Sequence, residues 1–266
     1  MSDPTADEKR MPLLDHLLEL RQRLLYSVLA LLGAFLVAFF FAEEIFRFLS
    51  LPLQGAMEDH GVPAERQRMI FTGLLEVFVT YIKVSFFTAL FVTCPMFLTQ
   101  IWLFVAPGLY KDERSAFLPF LIASPILFLI GAALVYSVIF PLATDFLLGF
   151  EMEGTLDTGG LPIELEAKVD QYLTLLMKLI FAFGLCFQLP VLMTLLARVG
   201  LATSAGMAAK RKYAILGVFI VAAIFTPPDP LSQLSLAIPI VLLYELSIYM
   251  AKLVEKKRIE SQAEEA

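Results

Sequence analysis

Long uncharged apolar runs are the feature that most constrains the fold of this chain. A bilayer core about 30 Å thick is crossed by roughly 20 residues of apolar helix. Six runs approach that length, at 24–42, 84–110, 115–144, 179–197, 213–228 and 230–251. With 59% hydrophobic residues and a mean hydropathy of +0.78, they predict an all-α integral membrane protein and exclude a soluble globular enzyme.

The last two runs are the weakest as membrane spans. The fifth, 213–228, would extend only about 24 Å as a helix, and the sixth carries Glu245 near its end. We therefore expect a six-helix bundle in which the fifth and sixth helices are short.

The distribution of Lys and Arg predicts the orientation of the bundle, because cytoplasmic flanks retain positive charge. Of the 20 Lys and Arg residues, 14 lie in the two terminal flanks and in loops two and four. The third loop has Lys168 as its only base. Both termini are expected in the cytoplasm, with cytoplasmic loops at 105–115 and 198–212 and outer loops at 43–76, 141–170 and 226–231.

Two terminal segments flank the predicted membrane domain, 24–251. Leucines at spacings of three and four before the first span predict that 1–23 is a cytoplasmic tail with an amphipathic helix. The first span has charges on both sides and no small-x-small site, so we expect it to be retained rather than cleaved. Residues 252–266 are charged and small, which predicts a disordered cytoplasmic tail.

Familiar catalytic and cofactor motifs are absent from the sequence. It has no phosphate-binding loop, no His-Glu-x-x-His and no Gly-x-Ser-x-Gly, so neither an enzyme nor a cofactor is expected. The topology places His16 and His60 on opposite sides of the membrane, and no metal site is predicted. A net charge of −6 argues against binding to nucleic acid.

Gln188 is the clearest polar residue at membrane depth. It lies near the middle of the fourth run beside Pro190, which frees a backbone carbonyl one turn earlier. Two interpretations are equally open: a wet concave surface used in transport, or an interhelical hydrogen bond.

On the cytoplasmic side, Glu19 and Glu113 each lie beside basic residues. By itself this pattern is typical of charged residues in a solvated loop or of local ion pairs.

Several long motifs occur in one order along the chain and resemble the TatC family, the polytopic C subunit of twin-arginine protein translocases. They are His16-Leu17-x-Glu19-Leu20-Arg21-x-Arg23-Leu24, Gln100-x-Trp102-x-Phe104-x-Ala106-Pro107-x-Leu109-Tyr110-x-x-Glu113-Arg114, Phe140-Pro141-Leu142-Ala143, Phe183-Gly184-x-x-Phe187-Gln188-x-Pro190 and Thr226-Pro227-Pro228-Asp229-x-x-Ser232-Gln233. The resemblance covers nearly the whole chain, from about 16 to 252.

The resemblance implies a cup-shaped bundle in the bacterial cytoplasmic membrane, concave toward the periplasm. It implies a receptor that binds Arg-Arg signal peptides of folded precursor proteins. Export would use the proton motive force, with single-span TatA- and TatB-type subunits as partners and with self-association. No cofactor or catalytic residue is implied.

Residue by residue, the resemblance assigns two groups of functional positions. The signal-binding group is Glu19, Arg21, Arg23, Phe104 and Glu113. The transport-related group is Gln188, Asp229, Gln233 and Pro52. Many members of the family carry Glu where this chain has Gln188, so a role that requires ionisation at that position does not carry over.

A secondary transporter of a small solute is the alternative. Such proteins bind solutes at broken helices near the membrane midplane, and Gln188, Pro190 and the short spans would suit such a site. The two halves of the chain have dissimilar loops and no internal repeat, however. These features favour the translocase.

Overall fold

The computed structural model describes residues 13–105, 118–150, 165–198, 200–226 and 230–264. These residues form ten α-helices, one π-helical turn and one pair of short parallel strands. The helices are α1 Leu13–Phe40, α2 Ala42–Asp59, α3 Glu76–Val105, α4 Leu118–Leu134, α5 Phe140–Leu148, α6 Val169–Cys186, α7 Leu189–Arg198, α8 Ser204–Ala209, α9 Arg211–Phe225 and α10 Pro230–Glu264. The π-helical turn is Val135–Ile139, and the strands are β1 Met69–Ile70 and β2 Ala167–Lys168.

Five helical segments are long and apolar enough to cross a membrane. They are Leu17–Phe40, Glu76–Ile101, Phe120–Leu148, Val169–Arg198 and Gln233–Lys256. Helix α9, which corresponds to the fifth apolar run, has 15 residues and extends only about 22 Å. The expected short fifth helix is therefore present. The all-α membrane fold predicted from the apolar runs is confirmed.

The helix of the sixth apolar run, α10, is not short, and the expectation of a short sixth helix is wrong. Helix α10 has 35 residues and continues through Lys252 to Glu264, within the tail expected to be disordered. Its last part is rich in Lys, Glu and Ala, which are good helix formers, and contains no Gly or Pro. Nothing in that stretch therefore ends the helix where its apolar part ends.

The loop after the first span begins with a helix, α2, that the apolar runs did not predict. Its buried residues Leu49, Leu53 and Met57 are spaced by four and lie on one face. Helix α2 packs against α5 and α3. The exposed face carries Glu43, Glu44 and Arg47, so α2 contains no long uncharged run. Only the helical spacing of its buried residues indicates this helix in the sequence.

Pro52 lies inside α2 and is buried. A proline there has no N–H to donate to the carbonyl one turn earlier, that of Phe48. The Tyr136 hydroxyl donates to this carbonyl at 2.6 Å, and the ring of Tyr136 stacks on that of Phe48 with centroids 4.7 Å apart. The proline thus frees an acceptor that fixes α2 to the π-helical turn.

A glycine contact brings α4 and α6 close together. The fully buried ring of Phe128 lies over Gly184, and the ring of Phe187 lies over Gly131, where a Cβ would come within 2.8 Å of it. Each ring occupies the space of a missing side chain. Such close packing leaves no room for even one methyl group.

Gly184→Ala should therefore destabilise the fold, because the added Cβ would overlap the Phe128 ring. Overpacking of this kind costs about 1–3 kcal/mol, which should lower the melting temperature of the purified protein in detergent. Gly217→Ala is the matched control, since a Cβ at that helical position meets nothing within 4 Å. Equal melting temperatures for the two variants would contradict the packing account.

The first and third loops, predicted to share one side of the membrane, contact each other. Strand β1 pairs in parallel with β2. Beside it, Lys168 lies 3.4 Å from Glu76, and Lys83 donates to Asp170 at 2.5 Å. These contacts join the start of α3 to the start of α6 and hold together one end of the bundle.

Candidate functional site

A polar cluster joins α1 to the far end of α3. Arg23 donates through Nε and Nη2 to Oε1 of Glu19, one turn earlier on α1, with the Nε contact at 2.9 Å. Its third nitrogen, Nη1, donates to Oε1 of Gln100 on α3 at 3.0 Å. The guanidinium fork therefore fixes the Glu19 carboxylate relative to α3.

The Glu19 carboxylate is well shielded, and only part of it is satisfied. The side chains of Glu19 and Arg23 are each 23% exposed. Oε2 of Glu19 is buried and accepts no hydrogen bond from the described residues. A buried acceptor without a donor is costly, so a new N–H donor that reached this oxygen would gain a strong interaction.

Arg21 differs from Arg23 although both belong to the predicted signal-binding group. Arg21 is exposed, and no ion pair or hydrogen bond of its side chain occurs in the described part of the chain. One arginine of the pair is therefore part of the Glu19 cluster, and the other faces outward.

Three of the predicted positions lie outside what the structure describes. Glu113 and Asp229 are outside the described residues. Phe104 lies on α3, but its side chain is outside the described part. The structure thus brings together Glu19 and Arg23 of the predicted group and adds Gln100.

Gln188 lies where the fourth span breaks, between α6 and α7. Its Nε2 donates to the Ser124 carbonyl at 2.9 Å, and its Oε1 accepts from the Ser124 hydroxyl at 2.7 Å. Pro190 lies in the first turn of α7, where a missing N–H is tolerated. The geometry supplies the interhelical hydrogen bond that was one of the two open interpretations.

Gln233 also has a structural contact. Its Nε2 donates to the Phe219 carbonyl at 3.1 Å, which ties the start of α10 to α9. Gln233 follows Asp229 closely in the sequence, with Pro230 between them.

Sequence reasoning missed two partners, Gln100 and Ser124. Each is a polar residue inside a long apolar run, which is a signal of an interhelical contact. The residues they meet are 77 and 64 positions away. Such pairings follow from helix packing and cannot be read from local spacing.

A model of the family described as "Sec-independent protein translocase protein (TatC)" matches residues 15–239. The chain belongs to the TatC family. It is 47% identical over 258 residues to TatC of Magnetococcus marinus, covering 97% of this chain and 90% of that protein. It is 37% identical over 245 residues to TatC of Escherichia coli K12, covering 92% and 90%.

A solved structure entitled "Crystal Structure of Twin Arginine Translocase Receptor- TatC" is also similar. Its TM-score is 0.74 at 36% identity, and the match covers 90% of this chain and 99% of that one. TatC membership makes this chain a multi-pass membrane component of a bacterial twin-arginine translocase rather than an enzyme. Within the described residues, no group of His, Cys, Asp and Glu could hold a metal ion.

Gln188→Leu distinguishes the two roles of the amide in this TatC protein. Leucine would remove both hydrogen bonds between Gln188 and Ser124, at a cost of roughly 0.6–2 kcal/mol. If the amide also serves transport, export should fall further than the amount of protein in the membrane. Export assays normalised to TatC abundance measure this, with Gln188→Glu expected to be tolerated. A leucine variant with unchanged export per molecule would leave only the structural role.

Proposed function

We propose that this TatC protein is the receptor and core subunit of its translocase. It binds the Arg-Arg signal peptides of folded precursors at its cytoplasmic face. It also organises TatA- and TatB-type single-span subunits, and further copies of itself, for export driven by the proton motive force. The observation that carries the proposal is the shielded Glu19 carboxylate at one end of the bundle, held by Arg23, which also donates to Gln100.

Two carboxylates suit the chemistry of two adjacent arginines. A guanidinium is planar, permanently charged and able to contact a carboxylate through two parallel hydrogen bonds. Glu19 supplies one of the two carboxylates, and its Oε2 accepts no hydrogen bond from the described residues. Glu113 follows Gln100 by 13 positions in the sequence and is the second carboxylate of the proposed site. Phe104 would shield the contact from water.

The proposed orientation places both termini in the cytoplasm of a bacterium and TatC in its cytoplasmic membrane. Loops one and three would face the periplasm. The paired strands β1 and β2 support a common side for these loops. At the other end of the bundle, Glu255 of α10 accepts a hydrogen bond from the Ser204 amide at 2.7 Å. The charged end of α10 therefore lies beside loop four.

Cysteine labelling tests this orientation. A cysteine at Asp157 should react with an impermeant thiol reagent added to the periplasmic side, and one at Ala205 should not, because the membrane blocks the reagent. A variant in which Cys94 and Cys186 are replaced provides the background. Labelling in the reverse pattern would overturn the orientation.

The transporter alternative makes a different prediction. Ser124 already uses one of the two N–H donors of the Gln188 amide and one of the two acceptor positions of its oxygen, so only half of its hydrogen-bonding capacity remains for a solute. Copurification of an Arg-Arg precursor with the protein, and not of its Lys-Lys form, is expected for a receptor. Uptake of small solutes by the purified protein alone in liposomes would instead favour a transporter.

A further inference from the structure

A polar cavity of about 500 Å³ lies between α8 and α10, at the end of the bundle that carries loop four. One face of each helix lines it, together with the first residue of α9. The lining residues are Ser204, Ala205, Ala208, Arg211, Glu245, Ile248, Tyr249 and Lys252. On the α8 side two of them are alanines, whose short side chains leave the space open.

Hydrogen bonds on both sides of the cavity hold its walls in place. The Tyr244 hydroxyl donates to the Met207 carbonyl at 2.9 Å, and the Glu255 carboxylate accepts from the Ser204 amide at 2.7 Å. Along α10, Tyr244 precedes the residues of the cavity and Glu255 follows them. The cavity is therefore a gap inside a fixed interface between α8 and α10.

Arg211 lines this cavity with part of its hydrogen-bonding capacity unused. Its Nε lies 2.7 Å from Oε1 of Glu245, and its Nη2 donates to Oε2 of the same residue at 2.8 Å. These two contacts occupy one edge of the guanidinium and fix its plane. The remaining nitrogen, Nη1, has no partner among the described residues. Lys252, on the same face of α10 as Glu245, forms no ion pair in that part of the chain either.

The cavity lies at the edge of the membrane. Lys210, Arg211 and Lys212 directly precede the fifth apolar run, and Lys252 directly follows the sixth. Long basic side chains at this level extend toward the lipid head groups while their stems stay in the apolar layer. Tyr249 is exposed, and tyrosine is enriched at the same level. The two cations of the cavity are therefore at the depth of lipid phosphates.

The charge and the walls of the cavity favour an occupant that is anionic and partly apolar. Lys210, Lys212 and Lys256 are exposed bases that flank the cavity residues in sequence, whereas the flanking acid, Glu255, already accepts the hydrogen bond described above. Ile248 and the two alanines make part of the wall apolar, which suits the glycerol and the first acyl carbons of a lipid better than a soluble anion. Basic pockets between membrane helices bind lipid head groups in this way.

We propose that this cavity binds the phosphate of an anionic phospholipid such as phosphatidylglycerol. Nη1 of Arg211 and Nζ of Lys252 donate to the phosphate oxygens, and the glycerol lies against Ile248 and Tyr249. A zwitterionic lipid binds less well because its head group brings a further positive charge to these two cations. The bound lipid joins the start of the short helix α9 to α10. The inference uses only the membrane fold and the cavity, and does not depend on the binding of signal peptides.

Lipid titration of the full-length protein tests the proposal. Delipidated protein in a non-ionic detergent is mixed with phosphatidylglycerol or phosphatidylcholine, and native mass spectrometry measures the bound lipid. We expect the first phosphatidylglycerol to bind about tenfold more tightly or better than phosphatidylcholine, because each base near a lipid surface contributes about fivefold. The melting temperature should rise with phosphatidylglycerol, since a ligand that binds only the folded state stabilises it.

Three variants assign the effect to the cavity. Lys252→Gln should weaken the binding of phosphatidylglycerol about fivefold. Lys256→Gln is the matched control, since it removes an exposed lysine one turn further along α10 that does not line the cavity, and it should leave the affinity nearly unchanged. Ala205→Leu fills the cavity without changing any charge, and should weaken binding at least as much as Lys252→Gln. The melting temperature without added lipid checks that each variant is folded.

Equal binding of phosphatidylglycerol and phosphatidylcholine to the parent protein would overturn the proposal whatever the stability of the variants. Equal losses in Lys252→Gln and Lys256→Gln would also overturn it, because they would assign the selectivity to the diffuse charge of this surface. So would displacement of phosphatidylglycerol by inorganic phosphate or by an acidic peptide at the same concentration, which would assign the cavity to a soluble anion or to a protein segment.

Discussion

Replacing Glu113 by Ala should weaken binding of an Arg-Arg signal peptide about thirtyfold or more. The proposed site removes this carboxylate and its arginine partner from water, and losing one member of such a pair costs about 2–5 kcal/mol. If Glu113 only paired with Lys111 or Arg114 in a solvated loop, the cost would be about 0–1 kcal/mol. Titration of the purified protein with labelled signal peptide measures the difference.

Two further changes separate charge from hydrogen bonding at this position. Glu113→Gln should be nearly as harmful as Glu113→Ala, because it keeps polar atoms but loses the charge. A Lys-Lys signal should bind the parent protein less tightly, because lysine lacks the planar fork that matches a carboxylate. Binding to Glu113→Ala within a factor of two of the parent would contradict the assignment.

Replacing Glu19 by Ala should weaken the same binding by about tenfold, less than the loss at Glu113. Arg23 already donates two hydrogen bonds to the Glu19 carboxylate and neutralises part of its charge. The expected loss is therefore near 1.4 kcal/mol. The same peptide titration checks it, and export of a reporter precursor should fall in parallel.

Gln100→Leu is the matched variant for Glu19→Ala. It removes the hydrogen bond that fixes Arg23 to α3 but leaves the carboxylate in place. We expect a smaller loss than for Glu19→Ala, because Gln100 positions the cluster and does not bind the signal itself. An effect of Gln100→Leu equal to or greater than that of Glu19→Ala would show that packing of α1 on α3, rather than the carboxylate, governs binding.

The membrane fold could be predicted from the sequence because it depends on one local quantity, the length of an uncharged run. The same rule failed where a charged residue lies inside a membrane span. It placed Lys178 outside the fourth span because it ended that run at the first charge, whereas α6 begins at Val169. It also missed α2, in which Glu43, Glu44 and Arg47 interrupt the apolar sequence and the buried residues lie on one face.

The polar contacts of the site were only partly predictable. Motif resemblance named Glu19, Arg23 and Gln188, but the residues they meet depend on which helices pack together. Gln100 approaches Arg23 because α1 packs along α3, and Ser124 approaches Gln188 because α4 packs against α6 and α7. A single sequence contains no record of those helix pairings.

Site-specific crosslinking from position 113 tests the receptor proposal most directly. A photoreactive amino acid placed there should crosslink to a precursor that carries an intact Arg-Arg signal, and only weakly to the same precursor with Lys-Lys. The same residue at Ala205, in the other loop proposed to be cytoplasmic, should give no signal-dependent crosslink. Equal crosslinking of the Arg-Arg and Lys-Lys precursors at position 113 would contradict the proposal that Glu113 recognises the signal arginines.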